Sequence, residues 1–401
     1  MNDNLLKEAQ SMKEQLIAWR RSLHKIPEVG LTLPNTMAFI KEQLDGMGVT
    51  YQAYDDCSCI VAQIGTGGKC FLLRSDMDAL PMAEESGEPF ASENGCMHAC
   101  GHDLHAATLL GAAKLLKAHE NELNGTVKLL FQSGEEIFAG ASAAINRGVL
   151  ENPHVDAAFA MHVASTLPAG AVMYGPYPMS SVYGFRITLT GKGAHGSTPQ
   201  LGIDPINTGV HIYLGLQELI AREISATDEA SLTIGRFDAG KVSNVIPERA
   251  VLEGTLRTFK PAVREMLMER IHQVVNQVAA AYRTEVEFEV LSDVPACACD
   301  EALNQEIANS IHDMDETLRL LPIYHVMGSE DFASFTYELG LIAKLLQKVR
   351  QQFTLEGHNA ELWDETARRF EHVAPVALDL LPADSMLREF YAGEIGGKTA
   401  Q

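Results

Sequence analysis

Apolar residues recur at helical spacing near the start of the chain, and short apolar runs follow at intervals as far as residue 161. A helix over residues 4–20 is predicted by Leu5, Leu6, Ala9, Met12, Leu16 and Trp19. Strands are predicted at residues 59–64, 70–73, 127–131 and 156–161, and helices near 104–118 and 139–150. Apolar strands that alternate with helices favour an α/β fold with a mixed, largely parallel sheet flanked by helices.

The pattern changes near residue 180, where residues 182–190 alternate between apolar and polar positions. Tyr183, Phe185, Ile187 and Leu189 share one face of this strand. A helix at 205–222, strands at 231–237 and 249–258, a helix at 261–281 and a strand at 285–291 follow. The order β-α-β-β-α-β is that of a ferredoxin-like α+β domain.

The end of the chain is mostly helical in pattern, with one further strand predicted at 322–326. The apolar pattern of this region is too weak to predict a separate domain. We therefore predict a discontinuous α/β domain over residues 1–179 and 292–401, with the α+β domain inserted at 180–291. A glycine-rich stretch at 65–68 lacks the helix and the lysine of a phosphate-binding loop, so a hairpin turn is predicted there.

Charge and composition exclude several classes of function. The 401 residues include 31 basic and 53 acidic side chains, so the net charge is 31 − 53 = −22. This charge disfavours nucleic-acid binding, and no apolar run is long enough to span a membrane. The first residues lack the apolar core of a signal peptide, and the seven cysteines are an odd, clustered set. We therefore expect a cytoplasmic protein.

Residues with metal-ligating side chains follow several of the predicted strands. Asp76 and Asp78 follow the second strand and project to the same side of an extended chain. The other such residues are Cys100 and His102 before a helix, Glu135 and Glu136 after the third strand, and His162 at the end of the fourth. Sites in open α/β sheets collect at the carboxyl ends of strands, so these residues are expected to converge.

Each of these residues alone has an ordinary structural explanation, such as capping a helix or lying on a solvated loop. Together they place several carboxylates near one another, which is costly unless a cation offsets their charge. The sequence therefore predicts a metal site. A set of thiolate, imidazole and carboxylate ligands suits zinc, manganese, nickel or cobalt better than calcium or magnesium. Glu135 and Glu136 point opposite ways on an extended chain, so one could bind metal while the other faces the reacting atoms.

The ordered set of motifs resembles the amidohydrolase branch of the dinuclear metallo-aminoacylase and carboxypeptidase superfamily. This branch includes hippurate hydrolases and indole-acetyl-amino-acid hydrolases. The matching segments include Asp-Met-Asp-Ala-Leu-Pro at 76–81, Met-His-Ala-Cys-Gly-His-Asp at 97–103 and Gly-Glu-Glu at 134–136. Others lie at residues 161–162, 193–197, 243–247, 254–257 and 328–332, and the last is around His358.

The resemblance implies a role for each matching residue. Two divalent ions per subunit would be bound by Cys100, which is shared, and by His102, Glu136, His162 and His358. Glu135 would be the general acid/base, and Asp78 would orient a ligand. The inserted domain would be a lid and dimerisation domain, in which His195 of one subunit polarises the scissile carbonyl in the other. Asn244 and Arg257 would bind substrate.

The predicted activity is hydrolysis of an N-acyl amino acid to a carboxylic acid and an amino acid by a metal-activated water. A dipeptidase or carboxypeptidase activity on the same fold is the first alternative. A binding protein that has lost catalysis is the second. The predicted partners are a small-molecule N-acyl amino acid or short peptide and a second copy of the chain, in a homodimer formed through the inserted domain.

Overall fold

A five-stranded sheet with helices packed on it forms the first part of the structure. The computed structural model describes residues 2–322 and 326–340. The helices here are α1 (Asn2–Ser11), α2 (Lys13–His24), α3 (Pro34–Met47), α4 (His102–Ala118) and α5 (Gly140–Asn146). The strands are β1 (Thr50–Tyr54), β2 (Cys59–Gly65), β3 (Lys69–Asp76), β4 (Gly125–Gln132) and β5 (Ala157–Ala160). A further strand, β6 (Ala171–Tyr174), follows.

The strand order in this sheet is β1-β2-β4-β3-β5. β3 lies parallel to both β4 and β5, whereas β2 lies antiparallel to both β1 and β4. The sheet is therefore mixed, as expected, but its parallel and antiparallel pairings are equal in number rather than mainly parallel. The three parallel strands share one carboxyl edge.

The turn between β2 and β3 is not the predicted hairpin, because β4 lies between these two strands. The chain crosses the start of β4 within a few residues, which requires close backbone approach. Gly65 has a φ of +77°, and a Cβ there would lie 2.4 Å from the carbonyl oxygen of Gly125. The glycines at 65–68 thus allow a crossover rather than closing a hairpin.

The core of this part lies between the sheet and helices α2, α3 and α4. Leu23, Ile40, Ile60, Leu110 and Phe131 are each at most 1% exposed within one continuous apolar cluster. The predicted helix at 104–118 is confirmed, with a start two residues earlier, whereas the helix predicted at 139–150 ends at Asn146. This packing leaves the carboxyl edge of the parallel strands for polar side chains.

A second sheet of four antiparallel strands forms between residues 182 and 294. Its elements are β7 (Val182–Thr190), β8 (Ala194–His195), α6 (Pro205–Glu218), β9 (Ala230–Ala239), β10 (Val245–Ile246), β11 (Arg249–Thr258), α7 (Pro261–Ala281) and β12 (Glu285–Val294). The strand order is β12-β7-β11-β9, and β8 pairs separately with β10. The predicted succession of two helices and four main strands is observed, and β11 and α7 have the predicted bounds.

Helices α6 and α7 pack on one face of this sheet. The four residues predicted to share a face of β7 are buried, together with Ile212 and Leu216 of α6 and Leu267 and Ile271 of α7. Arg186 on the other face of β7 is only partly buried. The alternating pattern along β7 therefore predicted the correct core face.

The final described elements are α8 (Glu301–Met314) and β13 (Arg319–Pro322). β13 pairs in parallel with β6, so the strand predicted at 322–326 lies earlier, at 319–322. Residues 323–325 and the segment around His358 lie outside the described residues. Among the described helices, none is both long enough and apolar enough to cross a membrane.

Candidate metal centre

Three parallel strands bring most of the predicted site residues to one edge of the five-stranded sheet. Asp76 ends β3 and is paired in register with Gln132, which ends β4. Asp78 and the segment with Glu135 and Glu136 follow directly, and His162 lies just after β5. The convergence predicted from the sequence is therefore observed for these residues.

The segment before α4 brings Cys100 and His102 to the same edge. Gly101 has a φ of +89°, and a Cβ there would lie 2.5 Å from the Val163 Cγ2 atom. A glycine is thus required for the chain to turn into the helix beside the segment that follows His162. The Cys100 Sγ atom lies 3.3 Å from the His162 Nε2 atom.

His102 is fully buried, and its ring orientation is fixed from one side. Its Nδ1 atom lies 2.9 Å from the carbonyl oxygen of Asp78, so this nitrogen carries the donating proton. Its Nε2 atom lies 3.9 Å from the Glu136 Oε1 atom and has no hydrogen-bond partner; the Glu136 Oε1 atom is also buried and unpartnered. Two donor atoms at this separation can bind one ion, since each metal–ligand bond is about 2.0–2.2 Å long.

Asp78 fixes the segment that carries the two glutamates. Its Oδ1 atom accepts a hydrogen bond of 3.0 Å from the backbone N–H of Glu135, and its Oδ2 atom accepts one of 3.1 Å from that of Glu136. The side chain of Asp78 thus holds Glu135 and Glu136, while its carbonyl oxygen holds His102. The predicted role of Asp78 in orienting a ligand is compatible with this geometry.

Among the described residues, ligand-type atoms form four close groups, and three of these groups include His102. Donor atoms of Cys100, His102 and His162 lie within 4.8 Å of one another, and so do those of His102, Glu135 and Glu136. The structure therefore brings together four of the five predicted metal ligands and the predicted base. The fifth predicted ligand, His358, lies outside the described residues.

The electrostatics of this site favour a cation. Burial lowers the pKa of His102, but the nearby carboxylates of Asp76 and Asp78 outweigh burial and raise this pKa to about 12. A hydrogen bond with His102 favours the Cys100 thiolate, yet burial and the nearby glutamates raise the pKa of the thiol above its usual value. The carboxylates around His102 stabilise positive charge at this position, and a divalent ion fits this environment.

Glu135 is buried in the same acidic environment. Burial and the neighbouring carboxylates of Glu330 and Asp331 raise its pKa to about 9, although Arg74 opposes the shift. The backbone N–H of Asp331 lies 3.4 Å from the Glu135 Oε1 atom. The carboxyl group of Glu135 thus holds its proton more strongly than an ordinary glutamate, and strongly perturbed pKa values of this kind are typical of functional sites.

A buried ionic network supports the site, and sequence reasoning assigned no role to any of its members except Asp76. Arg74 donates to Asp76 and to Asp331 at 2.7 Å each and lies 3.0 Å from Glu330. Gln132 donates to both carboxylate oxygens of Asp331, at 2.9 and 2.8 Å. The available signals were a charged residue within the apolar run of β3 and the matching motif at 328–332. Neither signal indicated that Arg74 and the segment at 328–332 would be in contact.

Asp76 also positions the segment after β5 through His105. The Nδ1 atom of His105 donates to the Asp76 Oδ1 atom at 2.5 Å, and its Nε2 atom accepts a hydrogen bond of 2.9 Å from the backbone N–H of Val163. The Nδ1 atom of His162 donates to the carbonyl oxygen of Val163 at 2.5 Å, so its Nε2 atom is left facing Cys100. A chain of contacts thus links β3 to the orientation of His162.

The remaining predicted residues lie in the antiparallel part of the structure. His195 is in β8 and is paired in register with Val245 of β10, and Asn244 immediately precedes that strand. His195 and Asn244 are both exposed. Arg257 lies near the end of β11 and donates to the Oγ atom of Ser329 at 2.5 Å. Ser329 immediately precedes Glu330 in the chain. Through this hydrogen bond, Arg257 contacts the segment that carries Glu330 and Asp331, which belong to the buried network.

Comparison with known proteins places this arrangement in a family. A model of peptidase family M20/M25/M40 matches residues 72–366. N-acetyl-L-cysteine deacetylase from Bacillus subtilis (strain 168) is 36% identical over 81% of this chain and 78% of its own length. IAA-amino acid hydrolase ILR1-like 4 from Arabidopsis thaliana is 38% identical over 80% of this chain and 74% of its own length.

A solved structure gives the same result. The crystal structure of the Bacillus subtilis YXEP protein, a dinuclear metal binding peptidase from the M20 family, matches with a TM-score of 0.69 and 33% identity. The match covers 82% of this chain and 87% of that chain. The resemblance inferred from the sequence motifs is thus confirmed, and the chain belongs to peptidase family M20/M25/M40.

Proposed function

We propose that this protein is a metal-dependent amidohydrolase that cleaves N-acyl amino acids to a carboxylic acid and an amino acid. The observation that carries the proposal is the meeting of Cys100, His102, Glu136 and His162 beside the buried Glu135. Two of the similar proteins are named for deacetylation of N-acetyl-L-cysteine and for hydrolysis of IAA-amino acids. Both names refer to substrates that are amides of amino acids. Metal ions held by the four ligands could activate water to cleave such an amide.

Two divalent ions per subunit, from among zinc, manganese, nickel and cobalt, fit the proposed ligands. Cys100 would be shared between them, and His102, Glu136, His162 and His358 would complete the set. Bound divalent ions lower the pKa of water and stabilise negative charge on a carbonyl oxygen. The unpartnered His102 Nε2 and Glu136 Oε1 atoms support this assignment.

Glu135 is the proposed general acid/base. Its carboxylate accepts a proton from the attacking water and returns that proton to the departing nitrogen. The two hydrogen bonds from its segment to Asp78 keep it in place during both transfers.

The antiparallel part is proposed to be an inserted ferredoxin-like lid and dimerisation domain over residues 180–291, between two parts of the catalytic domain, 1–179 and 292–401. His195 of one subunit would polarise the scissile carbonyl in the other, while Asn244 and Arg257 would bind substrate. Apolar side chains of α6 are exposed, with Val210 at 42% and Leu214 at 55%. Exposed apolar residues on one helix support a homodimer through this domain.

A cytoplasmic location is also proposed. All seven cysteines are free, and several of them are buried. Free thiols are typical of a reducing compartment.

The test is a combined measurement of metal content and turnover. Protein purified without chelators is expected to contain up to two divalent ions per chain and to hydrolyse N-acyl amino acids. The assay compares N-acetyl and N-benzoyl amino acids with dipeptides, each with manganese, zinc, nickel and cobalt. Faster turnover of dipeptides would favour the dipeptidase alternative, and an empty site would favour a binding protein.

The matched variant is Glu135→Gln, which keeps the shape of the side chain. It is expected to keep its metal ions and lose about 10²–10⁴-fold in kcat. A variant that retains full turnover would remove Glu135 from the mechanism. Loss of metal together with turnover would show that Glu135 binds metal rather than moving protons.

A further inference from the structure

Arg257 carries a positive charge that no acidic side chain neutralises among the described residues. Its side chain is half-buried near the end of β11, and burial alone lowers the pKa of the guanidinium below its usual value. Arg74 and Arg186, by contrast, each pair with at least two carboxylates. A cation that is partly removed from water without an acidic partner is costly, so the position of Arg257 suits a group that binds an anion.

The substrate of the proposed function supplies such an anion. An N-acyl amino acid has one charged group, its carboxylate, and a guanidinium binds a carboxylate through two parallel N–H donors. This geometry requires that the plane of the guanidinium be oriented correctly. What orients Arg257 therefore affects how the substrate lies at the site.

One hydrogen bond orients this guanidinium in the described part of the chain. The Nη1 atom of Arg257 donates to the Oγ atom of Ser329 at 2.5 Å. A guanidinium has five N–H donors, so this contact leaves four of them for a ligand. A long side chain loses conformational freedom when it binds, and a contact that fixes it beforehand reduces that cost.

Ser329 begins a segment that also reaches the proposed base. Two residues further on, the backbone N–H of Asp331 lies 3.4 Å from the Glu135 Oε1 atom. The same short segment thus contacts Arg257 at one end and Glu135 at the other. It sets the separation between the guanidinium and the group that moves the proton.

Two buried serines just before β7 hold the backbone on both sides of this hydrogen bond. The backbone N–H of Ser180 donates to the carbonyl oxygen of Gly328 at 2.8 Å, and its Oγ atom donates to that of Met327 at 2.9 Å. The backbone N–H of Ser181 donates to the carbonyl oxygen of Thr258 at 2.7 Å, and its Oγ atom accepts from the N–H of Thr258 at 3.1 Å. Neighbouring residues of one strand therefore join the two segments through their backbones.

This arrangement separates the role of the Ser329 hydroxyl from the stability of the fold. The segments that carry Arg257 and Ser329 are already joined by Ser180 and Ser181, which are fully buried. Loss of the Ser329 hydroxyl leaves those contacts in place. It frees the guanidinium and changes little else.

We propose that Ser329 is a positioning residue that holds Arg257 in the orientation and at the distance from Glu135 that the substrate carboxylate requires. The inference rests on the proposed amidohydrolase function. Ser329 acts through Arg257 and takes no part in metal binding or proton transfer. Its contribution is therefore to KM rather than to kcat.

The experiment is a double-mutant cycle on the metal-loaded enzyme, with N-acetyl- and N-benzoyl-L-alanine as substrates. Ser329→Ala is expected to raise KM by about tenfold, as for the loss of one hydrogen bond to a charged group, and to keep kcat within about twofold. In the Arg257→Ala background, the same substitution is expected to have no further effect on kcat/KM. This result distinguishes action through Arg257 from a general structural role.

Two further variants serve as controls. Ser329→Thr keeps a hydroxyl and is expected to keep KM within about threefold of the wild type. Ser334 is a half-buried serine further along the same segment, and Ser334→Ala is expected to leave both KM and kcat unchanged. The melting temperature and the metal content are expected to match those of the wild type in all of these variants.

The outcomes separate the two proposals. Equal losses from Ser329→Ala with and without Arg257, a loss mainly in kcat, or an unchanged KM would overturn the positioning role and leave the amidohydrolase function intact. Loss of metal or of the fold in Ser329→Ala would do the same, because it would show a structural role. No hydrolysis of either substrate by the wild type with any of the four metals would overturn the proposed function, and the positioning role with it.

Discussion

Along β3, Arg74 and Asp76 are buried beneath the candidate metal centre, and Arg74 donates to two carboxylates at 2.7 Å. Across the four-stranded sheet, Arg186 donates at 2.6 Å to Glu253 and to Glu289, with side chains that remain partly exposed. These ion pairs of the first part are thus buried in its interior, whereas those of Arg186 in the second part lie on an open face.

The difference indicates which charges serve the site. Exposed pairs retain most of their hydration and contribute little to stability, whereas buried pairs lose hydration and depend on every partner. The antiparallel sheet is held by apolar residues such as Phe185 and Leu252, each fully buried. The five-stranded sheet carries buried charge at the edge where the metal-ligating residues converge.

The largest contrast is expected between two histidines, one in each part. His102→Ala removes a proposed metal ligand of the buried centre. We expect the metal affinity to fall by more than the about 10–100-fold that follows removal of a residue hydrogen-bonded to a ligand. Turnover is lost with the metal. His272→Ala removes a hydrogen bond of 3.0 Å with Tyr183 and a ring contact with Phe288, and it is expected to keep both metal and turnover. Equal metal content in the two variants would contradict the assignment of His102.

The next contrast compares two arginines. Arg74→Leu leaves the carboxylates of Asp76 and Asp331 buried without their partner, and we expect unfolding in denaturant to show a loss of about 3–5 kcal/mol. Arg186→Leu removes a partly exposed partner and is expected to cause a much smaller loss. Similar losses of unfolding free energy in the two variants would mean that burial does not make the ion pairs of Arg74 more important for stability than those of Arg186.

A smaller effect is expected from pH in the metal-free protein. Burial raises the pKa of Glu135 to about 9 and that of Asp331 to about 7, so the folded state binds protons that the unfolded state has already released. Stability should therefore fall as the pH rises from about 6.5 to 9, measured as the melting temperature. Added metal should reduce the fall, because a cation favours the ionised carboxylates. A melting temperature that rises over this range would contradict the buried acidic environment.

The smallest effect is expected on the open face of the antiparallel sheet. Arg236 donates to Glu253 at 3.0 Å, and both side chains are partly exposed. Arg236→Ala should change stability only slightly, and the difference should vanish in about 1 M salt, which screens exposed charges. A large loss of stability that persists in high salt would show that the Arg236–Glu253 pair is not an exposed, salt-screened ion pair.

The sequence predicted best where local pattern decides the structure. Helix α7 and strand β11 have the predicted bounds, because each is a long periodic segment that packs on one face. The convergence of Cys100, His102, Glu136 and His162 followed from the rule that strand ends meet at one edge. These predictions needed no information on distant contacts.

The failures share a different cause. The turn at 65–68 was predicted to be a hairpin because glycines suit both a hairpin and a crossover, and only the later strand β4 decides between them. The pairing of Arg74 with Asp331 joins residues 257 positions apart, and no local pattern contains that contact.

The separation between Arg74 and Asp331 has a consequence for biosynthesis. A growing chain completes β3 long before Asp331 leaves the ribosome, so until then the guanidinium of Arg74 must remain solvated or bond only with Asp76 and Gln132. The sheet edge that carries the centre can therefore reach its final form only late in translation. A fragment that ends before residue 331 is expected to be recognised by chaperones and proteases, even though it contains every strand of the five-stranded sheet.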